Sequence, residues 1–299
     1  MNRLRVEYPS QCLLHTDYKK QVETAQDFCA RQGWTFGVQI HNTTPREWIE
    51  ALHGTGAPLS FHAPVCSEYF MNLANRDFSF ALDSVQKTMA IMEQLGGALA
   101  VFHGFLMTDA PILAFNTKRS FQDCMEVAYR KELSQRKTPL CRNFFRLPEY
   151  TERLERVKHR LRQIQTDYPA ITWCIENDFP VYGGGVLLSE QMGSLAAPLC
   201  LDVSHLWASC VLFKKDFFDQ VKMAIATKQL RCVHIHASRL LRKARLSEIR
   251  DGHHSFRQPN EMELPELVRL FYENQVRHWV IETPEADIRD LELIADWLQ

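Results

Sequence analysis

Short apolar runs alternate with longer amphipathic stretches along most of the chain. Eight of the short runs are rich in β-branched and aromatic residues and contain few polar positions. This composition is typical of parallel strands that are buried on both faces, so the pattern predicts eight such strands. The runs are RLRVEY (3–8), TFGVQIH (35–41), PLSFHAP (58–64), ALAVFHG (98–104), ITWCIEN (171–177), LCLDVSH (199–205), LRCVHIHAS (230–238) and HWVIETP (278–284).

Amphipathic stretches with helical spacing separate these runs. Residues 17–33 have apolar positions at helical intervals and end in glycine, whereas the stretch at 187–196 has only a weak helical pattern. Eight strands that alternate with about eight helices predict an α/β fold, a single (β/α)8 TIM barrel. Such barrels take roughly 250 residues, so we predict one domain over residues 1–299.

One segment interrupts the alternation. Residues 107–148 lie between the fourth strand and its helix, and they are too many for an ordinary strand-to-helix loop. Because they follow the C-terminal end of a strand, we expect this insertion to lie over the C-terminal face of the barrel, where barrel enzymes bind substrates. We also expect it to contain a helix and to narrow access to that face.

Charge and cysteine usage restrict the class of protein. The chain has 35 basic and 36 acidic residues and a formal net charge of −1, so it has no overall attraction to nucleic acid. Its nine cysteines show no CxxC spacing and several lie in apolar runs, so we expect reduced thiols. The sequence also shows no signal core and no run of the ~20 apolar residues that span a bilayer. A cytoplasmic protein without a membrane partner is therefore expected.

Histidines and carboxylates stand at the ends of six consecutive predicted strands and in the loop after the seventh. In a barrel these positions all face the C-terminal end. A single histidine there is more often a hydrogen-bonded core residue than a ligand, but several converging carboxylates are costly to bury without a cation. Imidazole and carboxylate together suit Zn²⁺, Mn²⁺ or Fe²⁺. The residues are His62, His103, Glu176, Asp202, His205, His234, His236, Asp251, His253 and Glu282.

This set resembles the endonuclease IV and xylose-isomerase-like TIM barrel superfamily, which includes AP endonuclease family 2. The matching motifs, in chain order, are SFHAP, VFHG, CIEN, LDVSH, VHIHAS, RDGHHS and VIETP. The resemblance implies a divalent metal centre, with Zn²⁺ (or Mn²⁺ or Fe²⁺) and up to three ions per chain. The ligands that it implies are His62, His103, Glu176, Asp202, His205, His234, Asp251, His253 and Glu282.

The substrate side departs from the family pattern. The first strand lacks the usual Gly-Ser-His start, and His236 stands where the family has asparagine. Tyr69 and Asn72 fall in a run that resembles the family's Tyr-x-x-Asn-Leu, although packing is an equal alternative for both. Together with His236 and Arg239, which begins a basic segment, they are the predicted substrate-binding residues.

Two activities are consistent with these patterns. The first is metal-dependent hydrolysis of a phosphodiester or phosphate ester, in damaged DNA or a small phosphorylated molecule, at a di- or trinuclear centre. The second is a sugar or sugar phosphate isomerase, epimerase or related lyase with a single metal. In both, Glu176 and Glu282 are the predicted catalytic residues. A metal-dependent oxygenase or peptide-modifying enzyme is a third alternative.

Overall fold

Eight parallel strands pair in chain order and close into a barrel, with β1 beside β8. The structure is a computed structural model that describes residues 3–115, 118–135, 138–142 and 144–299. Each strand lies within one of the predicted runs, apart from the final residue of β1, and the predicted (β/α)8 fold is confirmed. The strands are β1 (Arg5–Pro9), β2 (Thr35–Ile40), β3 (Leu59–Ala63), β4 (Leu99–Phe102), β5 (Thr172–Glu176), β6 (Leu199–Asp202), β7 (Leu230–Ile235) and β8 (His278–Ile281).

The described residues also form ten α-helices, most of which pack around the outside of the barrel. Within the described ranges, every helix is too short or too polar to span a bilayer. All nine cysteines are free thiols, and eight of them are buried. The helices are α1 (Tyr18–Arg31), α2 (Arg46–His53), α3 (Ser79–Leu95), α4 (Phe121–Met125), α5 (Pro148–Asp167), α6 (Ser189–Ser194), α7 (Val203–Phe213), α8 (Phe217–Ala226), α9 (Leu264–Glu273) and α10 (Ile288–Trp297).

Helix α7 was not predicted, and it shortens the sixth predicted strand. Strand β6 ends at Asp202, whose side chain accepts a hydrogen bond from the backbone N–H of His205 at 2.7 Å and so caps the helix. His205 therefore lies in the first turn of α7 and not in a strand. The helix is buried on nearly all sides. Its sequence has no polar face, and the amphipathic pattern that marks the other helices is absent from it.

Residues of the segment between β4 and α5 form a small apolar cluster with Phe70 and Tyr182. The segment contains α4 and a single 3-10 turn at Glu126–Ala128. Isolated bridges join Leu113 to Tyr69 and Leu106 to Gly184, so the segment is tied to the loops that follow β3 and β5. Positions 116–117, 136–137 and 143 of the predicted insertion lie outside the described residues.

Two arginines of α5 hold the loop that follows β3. Arg160 donates to the carbonyl oxygen of Leu73 at 2.8 Å, and Arg153 donates to that of Ala74 at 3.0 Å. Both side chains are buried, and Arg153 also forms a two-pronged ion pair with Asp109 at 2.9 Å. These two arginines therefore stabilise the backbone of the loop after β3.

A buried ionic group closes the opposite end of the barrel. The carboxylate of Glu7 on β1 accepts hydrogen bonds from Arg5 at 2.6 Å and from Ser60, and it lies 3.1 Å from Nε2 of His278. Burial raises the pKa of Glu7, but His278 and Arg5 outweigh burial and bring it down to about 2. Burial lowers the pKa of His278, and Glu7 and the nearby Cys232 reverse this effect, so its pKa lies above the ordinary value.

The Glu7–His278 pair makes stability depend on pH. Glu7 contributes fully above its ordinary pKa of 4.5, and its contribution is lost as the pH falls toward 2. His278 contributes fully below its ordinary pKa of 6.5, and its contribution is lost as the pH rises through its raised folded value. We expect His278→Gln to lower the free energy of unfolding by about 2–3 kcal/mol between these two ordinary values, and by less at higher pH.

Denaturant unfolding of both proteins at a series of pH values measures this difference. His53→Gln, at the exposed end of α2, is the control and should behave like the native protein. A His278→Gln difference that stays constant from about pH 5 to pH 9 would contradict the ion pair.

Candidate metal centre

The barrel strands bring the predicted ligands to one end of the molecule. Strands β3, β5, β6 and β7 each carry one predicted ligand in their last two positions. One further predicted ligand directly follows β4, and another directly follows β8. Helix α7 and the loop after β7 supply the remainder. In parallel strands these ends share one face of the barrel, so the side chains form adjoining groups. The nine residues are His62, His103, Glu176, Asp202, His205, His234, Asp251, His253 and Glu282.

The first ligand group consists of His62, His103 and Glu176. Oxygen Oε2 of Glu176 lies 3.2 Å from Nε2 of His62 and 3.5 Å from Nε2 of His103. The donor atoms of this group all lie within 4.8 Å of one another. Yet Oε2 of Glu176 is buried and has no hydrogen-bond partner. Close nitrogen and oxygen atoms without hydrogen-bond geometry are expected where the atoms face a shared cation.

A second ligand group lies at the rim and consists of His205, Asp251 and His253. The two carboxylate oxygens of Asp251 are each 3.4 Å from a histidine Nε2, one on His205 and one on His253. His205 donates from Nδ1 to the carbonyl oxygen of Asn177 at 3.0 Å, which leaves its buried Nε2 without a hydrogen-bond partner. This bond fixes the ring with Nε2 directed at the group, as in many metal sites.

The central group lies between the other two and includes His234 of β7 and His236, which directly follows that strand. Nδ1 of His234 is 2.8 Å from Oε1 of Glu176 and 3.1 Å from Oε2 of Glu282. Nε2 of His236 is 2.7 Å from Oδ2 of Asp202. His236 was predicted to contact substrate, but it is fully buried and does not line the cavity described below. The structure instead places it among the donor atoms of the central group.

The charges of the central group depend on one another. Burial alone would raise the pKa values of Glu176 and Glu282, but the nearby histidines, chiefly His234, bring both well below the usual range. Burial would lower the pKa of His234, and the two glutamates reverse this effect and raise it well above the usual range. The carboxylates therefore need adjacent positive charge. Divalent cations can supply that charge in place of the histidine protons, so the donor set fits a metal centre.

Asp178 orients His103 and was not predicted from the sequence. Its Oδ1 accepts from Nδ1 of His103 at 3.2 Å, and its Oδ2 accepts from the backbone N–H of Val186 at 3.1 Å. A Cβ at Gly184 would lie 2.7 Å from the Cβ of Asp178, so this loop needs glycine for the close approach. The only sequence signal was the position of Asp178, two residues after Glu176. Carboxylate contacts of this kind commonly orient metal-binding histidines.

Two of the predicted substrate-binding residues support the backbone around the mouth. Asn72 accepts from the N–H of Leu106 at 2.9 Å and donates to the carbonyl oxygen of Thr108 at 3.0 Å. The ring of Tyr69 packs against Phe80, with 4.7 Å between the ring centroids. Neither residue lines the cavity. The geometry favours the packing alternative for both.

Arg239 is not among the described residues that line the cavity either. It is exposed and donates to Oε1 of Gln258 at 2.8 Å. Arg242, in the same basic segment, forms an ion pair with Glu263 at 2.6 Å. The contact between Arg239 and substrate stays a prediction.

A cavity of about 210 Å³ opens onto the ligand groups. One side consists of ligand side chains together with His41 and Asp178, and the other side is apolar. Burial lowers the pKa of His41 to about 3, so this histidine is neutral. No lysine or arginine occurs among the described residues that line the cavity. These are His41, His62, Phe70, His103, Leu106, Phe115, Phe121, Met125, Asp178, Phe179, Val181, His205, Asp251, His253 and Glu282.

Comparison with solved structures identifies the type of barrel. A D-tagatose 3-epimerase-like protein superposes with a TM-score of 0.59 at 13% identity, covering 98% of this chain and 96% of the other. Endonuclease IV from Thermus thermophilus superposes with a TM-score of 0.54 at 18% identity, covering 99% of this chain and 98% of the other. An AP endonuclease of family 2 from Brucella melitensis superposes with a TM-score of 0.53 at 13% identity, covering 93% of this chain and 91% of the other.

The chain therefore shares the fold of these solved structures, and the resemblance to their superfamily is supported at the level of the fold. No protein-family model matches the chain. No curated protein matches it either. These identities establish the fold but not the reaction.

We expect Asp178→Asn to bind Zn²⁺ about 10- to 100-fold more weakly than the native protein, because the amide cannot stabilise the orientation and charge of His103 as the carboxylate does. Competition with a chromogenic zinc chelator measures the affinity, and circular dichroism checks the fold. Asp219→Asn, on the exposed face of α8, is the matched control. An Asp178→Asn variant with native zinc affinity and native circular dichroism would rule out this role.

Proposed function

We propose that the chain is a hydrolase with a multinuclear divalent metal centre that cleaves a phosphate ester or phosphodiester of a small molecule. The observation that carries the proposal is the sharing of carboxylates between ligand groups. Glu176 contacts both His103 of the first group and His234 of the central group. Glu282 contacts His234 and lies 3.4 Å from His253 of the rim group. Carboxylates that are shared between ligand groups suit adjacent metal ions, and an enzyme with a single metal does not need such sharing.

The nine predicted ligands would hold up to three ions, of Zn²⁺, Mn²⁺ or Fe²⁺. When bound, such ions provide hydroxide from water near neutral pH and stabilise negative charge on the transferred phosphoryl group and its leaving oxygen. Glu176 and Glu282 would keep adjacent ions together at the reacting centre. Asp178 and the carbonyl oxygen of Asn177 orient His103 and His205, and the apolar side of the cavity excludes bulk water.

The size of the cavity favours a small substrate over damaged duplex DNA. Its volume is about 210 Å³, and Phe115 and Phe121 from the segment after β4 form part of its lining. Phosphodiester recognition in DNA also depends on cationic side chains along the backbone. None is present among the described residues that line the cavity.

A sugar isomerase or epimerase is the second candidate, and one observation favours it. Glu176 and Glu282 both lie within 3.1 Å of Nδ1 of His234, so they face each other as an acid and a base would across one metal. A sugar, however, needs many hydrogen-bond partners for its hydroxyl groups. Outside the predicted ligands, His41 and Asp178 are the polar side chains among the described residues of the lining. The hydrolase remains the better-supported proposal.

Metal content and turnover together test the proposed function. We expect elemental analysis of the purified protein to find about two to three divalent ions per chain. Glu282→Gln should lose metal and should lower hydrolysis of bis(4-nitrophenyl) phosphate and 4-nitrophenyl phosphate by at least about 100-fold, because a shared negative ligand is lost. Glu285→Gln, which changes an exposed glutamate in the same loop, is the matched control.

The same assays distinguish the second candidate. About one ion per chain, no phosphate ester hydrolysis and metal-dependent conversion of a ketose would overturn the hydrolase in favour of an epimerase. Incision of abasic duplex DNA by the native protein would show that the substrate is not small. Full activity of Glu282→Gln would mean that Glu282 is not a ligand.

A further inference from the structure

The cavity has an aromatic side that directly adjoins the predicted ligands. The ring of Phe70 stacks on His103 with 6.5 Å between centroids and 9° between planes. The ring of Phe179 meets His205 edge-on at 5.8 Å. A group held against these rings would therefore extend from the metal centre without crossing a polar layer.

The segment after β4 completes this apolar side. Phe115 and Phe121 meet edge-to-face at 5.4 Å, and Phe121 also contacts Tyr182 at 6.4 Å. Phe121 is 40% exposed, so it lies at the rim and forms a boundary between the cavity and solvent. We define the aromatic wall as Phe70, Phe115, Phe121 and Phe179.

Outside the predicted ligands, the described lining of the cavity has two polar side chains, His41 and Asp178. Nδ1 of His41 is already 2.7 Å from the hydroxyl of Thr43. The carboxylate of Asp178 is bonded to His103 and to the backbone of Val186. A polar group buried in this cavity without a partner would lower affinity. An aromatic ring, by contrast, gains from edge-to-face and offset contacts with phenylalanine rings.

We propose that the substrate is an aryl phosphate, in which a flat aromatic group lies against the aromatic wall and the phosphate faces the ligand groups. The phosphate part rests on the proposed function, whereas the aromatic part rests on the wall. Hydrolysis would form a bond between the oxygen of water and phosphorus and break the bond between phosphorus and the aryl oxygen. The aryl oxygen leaves with one proton of that water, and the other proton remains on the phosphate product.

Binding of compounds that cannot be hydrolysed tests the aromatic part. Isothermal titration of the zinc-loaded protein should show phenylphosphonate binding about 30- to 100-fold more tightly than methylphosphonate, because the ring removes its apolar surface from water. Phe121→Ala should weaken phenylphosphonate about 5- to 10-fold and leave methylphosphonate unchanged. Phe121→Leu, which keeps an apolar side chain, should bind phenylphosphonate with an affinity between those of the native protein and Phe121→Ala.

Two controls keep the result interpretable. Met223→Ala on α8 removes a side chain that is as exposed as Phe121, 40%, and lies away from the cavity, so it should bind like the native protein. Benzohydroxamate and acetohydroxamate repeat the aromatic comparison with a metal-chelating group that contains no phosphorus.

The outcomes separate the two parts of the proposal. Preference for the aromatic compound in both pairs, with turnover of 4-nitrophenyl phosphate, supports the aryl phosphate. Preference in the hydroxamate pair alone, without turnover, retains the aromatic group and rejects phosphate hydrolysis. Equal binding within both pairs, or an unchanged Phe121→Ala variant, overturns the aromatic part. Tighter binding of glycerol phosphate than of phenylphosphonate overturns it as well.

Discussion

The burial of carboxylates at the mouth of the barrel is the constraint on which the site depends. Glu176, Asp202 and Glu282 are at most 6% exposed, and a charged carboxylate in such a position is unstable without nearby positive charge. The surrounding histidines supply that charge when they are protonated, and divalent cations can supply it instead. The closed barrel maintains this arrangement, because adjacent parallel strands bring their C-terminal ends together whatever side chains those ends carry.

The two ends of the barrel satisfy buried charge in different ways. At the N-terminal end, Glu7 is neutralised within the protein by Arg5 and His278, so it is suited to a structural role. At the C-terminal end, the carboxylates are surrounded by histidines and no arginine or lysine lines the described part of the cavity. Histidine can lose its proton and bind a metal, whereas arginine keeps its charge. The presence of Arg5 thus distinguishes the end that stabilises the fold from the end that suits chemistry.

The segment after β4 gives the shared barrel its particular cavity. It adds Phe115, Phe121 and Met125 to the lining of the cavity. The buried arginines of α5 and the side chain of Asn72 hold the neighbouring backbone in place. A metal centre of one general type can therefore serve different substrates, because the loops around the mouth change independently of the strand ends.

The sequence alone was enough to predict the barrel and nine candidate ligands at its C-terminal end, because buried parallel strands are continuous apolar runs and a polar residue at the end of such a run is conspicuous. It did not reveal helix α7, since a helix buried on all sides lacks a polar face. The contact of His236 with Asp202 and the absence of Asn72 and Arg239 from the described lining of the cavity became visible in the folded structure. The role of Asp178 and the aromatic wall were also found from the folded structure and not from the sequence, because contacts between separate loops leave no regular spacing in the sequence.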